Sequence, residues 1–125
     1  MPHTTHTPTG AYPAPAPAQF VDLEAIADQL LDRLPGKTRQ GETVARQGEV
    51  SVVMMAIEGG GALQEHKAAG PVVVRVFRGH AVVSVAGQTF DLREGELVML
   101  EAGIPHDLRA EEQSVVLLTI SNVPS

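Results

Sequence analysis

The chain has 125 residues, a 43% hydrophobic share, a formal net charge of −6 and no cysteine. That length predicts one domain able to bury a core without covalent staples, and the lack of thiols excludes disulfides, thiolate catalysis and thiolate metal sites. Arg75 and Arg78 are the nearest thing to a basic cluster, so the positive footprint that nucleic acids require is missing, and no apolar run approaches the about 18 residues that span a bilayer.

Residues 1–18 are rich in proline, threonine and alanine, and they hold no lysine or arginine and no apolar run of the signal-peptide kind. Proline removes backbone donors and favours extended segments, so this stretch reads as a disordered arm, with His3 and His6 as solvated tail histidines. Without cysteines or a leader, the expected location is the cytoplasm.

Residues 19–36 form the next unit. Leu23, Ile26, Ala27, Leu30, Leu31 and Leu34 fall on one helical stripe. Asp22 is the expected N-cap of a helix over 22–34, which Pro35-Gly36 stops. The stripe reads as a face packed on the chain's own core, with a partner-binding helix as the alternative.

From residue 37 to 125 the character changes to short runs of Val, Ile, Leu, Met and Thr broken by glycine or charged turns. Nine strands are expected, at 42–46, 51–57, 63–66, 71–77, 81–85, 88–92, 96–100, 106–109 and 114–120. Many short strands with no helices between them predict an all-β sandwich or barrel. Turns are expected at Gly87-Gln88 and at Arg78-Gly79-His80, the second leaving His80 exposed. Met54, Met55 and Met99 read as core filling, and Gly59-Gly60-Gly61 as a turn, since no helix or Gly-Lys-Ser/Thr follows it.

Within a strand, residues two apart share a face. Arginine belongs in water, so Arg75 turns Val72, Val74 and Val76 to the interior. The same alternation sets His106 with Leu108, opposite Asp107 and Arg109, and sets Gln64, His66 and Ala68 together. The expected interior therefore holds two imidazoles and one amide among valines, leucines and methionines.

Two glycine-punctuated stretches frame these histidines: Gly60, five residues, His66, twelve residues, Gly79; and Gly95, five residues, Glu101-x-Gly103-x-x-His106. Over residues 40–120 the chain thereby resembles the cupin family, whose motifs read G-x5-H-x-H-x3-4-E-x6-G and G-x5-P-x-G-x2-H-x3-N. The resemblance implies a single antiparallel jelly-roll barrel, here behind one N-terminal amphipathic helix, enclosing a metal or a small molecule. Registered on Gly60 and Gly79, His66 takes the first histidine position, Ala68 the second and Val72 the glutamate. Glu101 stands for the proline and Ala110 for the asparagine. A rival register makes Gln64 the first histidine position and His66 the second.

The expected metal ligands are thus His66, His106 and Gln64, binding a weakly held divalent ion such as Zn, Ni, Mn or Fe, since catalytic zinc and non-haem iron sites ordinarily add a further strong ligand or a carboxylate. A hydrogen-bonded histidine pair and a direct acid–base role remain as alternatives. Three functional classes stay open: a small-molecule-binding module, a metal-dependent enzyme of dioxygenase or isomerase type, and a structural protein with a vestigial pocket. A homodimer is expected through the helix or the 42–57 strands, because open sheet edges invite pairing. Neither nucleic acid nor membrane is an expected partner.

Overall fold

A computed structural model of the chain describes residues 17–66 and 68–122, with the side chains of residues 64–66 outside the description. The arm expected at residues 1–18 falls almost wholly outside the described residues. Helix α1 (Leu23–Asp32) is followed by nine strands: β1 (Arg39–Gln47), β2 (Val50–Ile57), β3 (Ala62–His66), β4 (Val72–Arg78), β5 (His80–Val85), β6 (Gln88–Arg93), β7 (Leu97–Leu100), β8 (His106–Ala110) and β9 (Ser114–Ser121). They form a five-stranded sheet, β1-β2-β9-β4-β7, facing a four-stranded sheet, β3-β8-β5-β6. Every pairing is antiparallel. The architecture is the expected jelly roll behind one helix.

Alternation decides what fills the barrel. On β4, Val72, Val74 and Val76 are 3%, 2% and 0% exposed, and they join Ile57, Val83, Leu108 and Val116 in the inner core. The five-stranded sheet buries part of its outer face as well. Ile26, Ala27, Leu30 and Leu34 of the helical stripe pack there against Val44, Met54, Ala56 and Val115. The stripe is therefore spent on the chain's own sheet. The Asp22 carboxylate caps α1 by accepting the Ala25 N–H at 3.1 Å, satisfying one orphan donor of the first turn. Arg78 ties the helix down from β4, bonding Asp28 at 3.0 Å and also Glu24. These two acidic partners, the Asp28 hydrogen bond foremost, raise the Arg78 pKa further above its ordinary range. Phe77 packs against the helix cluster, with the Arg75 and Arg78 guanidinium groups 5.9 and 5.7 Å from its ring centre.

Four local expectations need correction. The β5–β6 turn is centred on Ala86 and Gly87, with φ of +49° and +80°, one residue earlier than expected. Two positive φ values give the hairpin twist that such strands need. Met99 is 67% exposed instead of filling the core, because it lies on the outer face of edge strand β7, beyond the helix. His80 is largely shielded, and its Nε2 donates to the Asp91 carboxylate on β6. That bond holds the Asp91 pKa below the ordinary carboxylate value. Finally, β1 begins at Arg39, three residues before the expected strand.

Gly79, which closes the first motif, explains its own identity. It sits at φ +92°, and a Cβ there would lie 2.4 Å from Ser114 Oγ. Ser114 is 1% exposed. Its hydroxyl accepts from the His80 N–H at 3.0 Å and lies 2.7 Å from the Glu112 carbonyl, which pins the β4–β5 corner against the start of β9.

Candidate functional site

The inner faces of the two sheets leave a cavity of about 310 Å³ between them. Val72 and Val74 of β4, Val83 of β5, Leu108 of β8 and Leu118 and Ile120 of β9 supply apolar wall, and His106 lies among them. Leu63 of β3, with Ala68, Ala69 and Asn122 near the ends of β3 and β9, completes the lining. Asn122 escaped the sequence reading, which had no periodic or motif signal so close to the chain terminus.

His106 is 5% exposed. β8 alternates buried and exposed positions from His106 to Ala110, which turns His106, Leu108 and Ala110 inward as expected. The preceding Pro105 has no N–H to donate, and the ring reaches back past it. His106 Nδ1 lies 3.1 Å from the Ile104 carbonyl oxygen. A carbonyl only accepts, so Nδ1 carries the proton, and in the neutral form of the ring the lone pair falls on Nε2. That is the tautomer with which imidazole accepts a hydrogen bond or ligates a metal, its orientation fixed from behind.

The β3–β8 register sets His66 directly opposite His106. From Leu63 to His66, β3 advances three residues while β8 runs back two, from Leu108 to His106. This extra residue is a bulge. It breaks the period-two argument that grouped Gln64 with His66, because Gln64 falls inside the irregular stretch. Alternation from Leu63 would have turned residue 66 to the other face, and the bulge is what pairs it with residue 106. The side chains of Gln64 and His66 are not described, so of the three expected ligands only His106 is placed by its side chain, and the other two are located only along the backbone of β3.

Two of the four motif positions that depart from the cupin pattern line the cavity. Ala68 and Val72, standing at the second histidine and the glutamate, are both in its wall, and Ala110 is fully buried beneath. Glu101, at the proline position, is exposed. Among the described residues no three His, Asp or Glu side chains gather as a metal-ligand group. The described lining is mostly aliphatic, with His106 and Asn122 as its polar side chains.

No helix among the described residues is long and apolar enough to cross a membrane. Comparison with curated proteins gives no match. Among solved structures, a Cupin 2 conserved barrel domain protein from Leptotrichia buccalis superposes with a TM-score of 0.64 at 31% identity, over 70% of this chain and 42% of that one. KdgF from Halomonas sp. gives 0.65 at 21% identity, over 68% of this chain and 81% of that one. A mutant of salicylate 1,2-dioxygenase from Pseudoaminobacter salicylatoxidans gives 0.63 at 19% identity, over 78% and 32%. At those identities the latter two share the fold. A family model described as Cupin domain matches residues 53–121, more than half of the chain and the barrel from within β2 to the end of β9. The chain belongs to the cupin family.

Proposed function

We propose that this cupin binds a small molecule in its interior cavity, with His106 as the polar anchor. The cavity itself carries the reading. Its volume of about 310 Å³ lies at the small end of the roughly 300–1,000 Å³ typical of ligand pockets, which are mostly apolar with a few placed polar groups. A compact ring or branched body with one hydroxyl suits these walls, the hydroxyl donating to an imidazole nitrogen. A buried charge would face only aliphatic carbon on most sides and would be heavily penalised. Calorimetric titration with phenol tests this: binding in the parent protein, lost in Val74→Phe, whose ring would occupy the cavity, supports it. Equal binding by both proteins would place the ligand elsewhere.

A second reading, a weakly held divalent ion such as Zn, Ni, Mn or Fe, is favoured by the His106 tautomer and by the register of His66. Two imidazoles, with Gln64 as an oxygen donor, would hold such an ion, whose chemistry when bound is that of a Lewis acid. With Val72 at the motif's carboxylate position, charge balance would have to come from water, hydroxide or an anion. Titration of metal-free protein with Zn²⁺, Ni²⁺ and Mn²⁺ is expected to show weak binding that His66→Ala and His106→Ala each abolish. Unchanged binding in both variants would contradict it. The likeness to a dioxygenase, at 19% identity, assigns no substrate and no reaction.

A further inference from the structure

The two sheets part along their β1–β3 side, where an open cleft of about 880 Å³ is lined by Lys37, Arg39, Met55, Leu63 and Leu118, among others. Leu63 and Leu118 also line the interior cavity. The same two side chains, each 9% exposed, therefore divide one space from the other.

Arg39 holds an unusual place for a cation. It pairs with Ile57 across the β1–β2 ladder, and residues directly opposite share a face. Ile57 belongs to the inner core, so Arg39 rises from the inner face of its sheet. Position at the edge, where water reaches, makes that tolerable. Its Nη1 donates across the gap to the Ala62 carbonyl on β3 at 3.3 Å. That bond uses one of five guanidinium donors and steadies the fork at the cleft. Beside it, Met55 spreads over Gly41, where a Cβ would come within 2.8 Å of its Sδ and Cε. The divide between cleft and cavity is thus two leucines, with an adaptable thioether beside them on the cleft side.

We infer that cleft and cavity form one continuous site for an amphipathic anion, an alkyl carboxylate of short to medium length. The carboxylate lies on Arg39 and Lys37 at the solvent side, and the tail passes Leu63 and Leu118 into the interior. This rests on reading the interior cavity as a ligand site. The division of labour follows from the walls: a guanidinium fork matches a carboxylate in geometry and charge, while aliphatic walls reward each buried methylene by about fourfold in affinity.

The test is calorimetric titration with hexanoate, octanoate, decanoate and octan-1-ol at one pH. Affinity for the acids is expected to rise with chain length, and octanoate to bind more tightly than octanol. Arg39→Gln should weaken octanoate by about tenfold and leave octanol unchanged. Arg39→Lys, which keeps the charge and loses the fork, should fall between them. Arg39 is exposed, so unchanged melting temperatures are expected for both variants. If octanol binds but octanoate binds no more tightly, or Arg39→Gln leaves octanoate binding unaltered, the inference is overturned and the interior-pocket reading stands. If phenol, octanol and the acids all fail to bind, the interior-pocket reading falls and takes this inference with it.

Discussion

Single residues fix the corners and the chemistry of this barrel. His106 is oriented by a carbonyl two residues behind it, and its interior placement follows from plain strand alternation, which is why it was legible in the sequence. The fate of position 66 was less so. Motif spacing pointed to it correctly as far as backbone register goes, but the bulge that pairs it with His106 has no signature in a stretch reading Leu63-Gln64-Glu65-His66. Gly79 shows the opposite case, where spacing and steric need coincide. Gly79→Ala would force a side chain into a left-handed conformation and against the buried Ser114 hydroxyl. A loss of at least about 2 kcal/mol is expected in denaturant unfolding. Gly87→Ala, at φ +80° with nothing within 4 Å of its Cβ, provides the comparison: it carries the backbone strain alone and should cost less.

At the scale of elements, periodicity did most of the work. The helical stripe was readable because Ile26, Ala27, Leu30 and Leu34 recur at helical spacing, and those four are 0–1% exposed. Strand faces were readable where a charge marked the outside, as Arg75 does on β4 and Asp107 on β8. They were less readable on β2. Met54 and Met55 follow each other there, one facing the helix and the other the barrel, because a sheet covered on both faces loses its alternation. Turn position slipped by one residue where Ala86, not a second glycine, accepts a positive φ. The helix contributes as a cover for the outer sheet face. Leu30→Ala should therefore cost about 2–5 kcal/mol by thermal or denaturant unfolding, the usual range for a filled core site. A loss under about 0.5 kcal/mol would mean that the helix is not docked.

For the whole molecule, the edges and the interior set the remaining expectations. A homodimer was anticipated through the helix or strands 42–57, but the apolar stripe of the helix is buried on its own sheet. Among the described residues the two most exposed large apolar side chains lie elsewhere: Leu97 and Met99 are 54% and 67% exposed on β7, against 42% for Val50 on β2, and β7 is the edge strand of the five-stranded sheet. An open edge with an apolar face favours pairing with another copy. Sedimentation at micromolar concentration is expected to show a dimer, and Met99→Lys to shift it toward the monomer. A parent protein sedimenting as a monomer would contradict this.

Inside the barrel the cupin framework is intact while the lining is largely aliphatic. The family motifs made the barrel legible through their glycines and His106. The pocket's character was legible through what replaced the ligands, Ala68 and Val72. Its size and its place beside the cleft that Arg39 lines were not, since both depend on how nine strands close on one another. The interior cavity is the proposed place where a small molecule binds. The most direct measurement is a methyl NMR titration with phenol, reading Val72, Val74, Val83, Leu108 and Leu118. The predicted result is saturable shifts confined to these methyls and to the His106 ring, and abolished in Val74→Phe. Shifts confined to the exposed methyls of β7, or no shift at any cavity methyl, would contradict an interior ligand site.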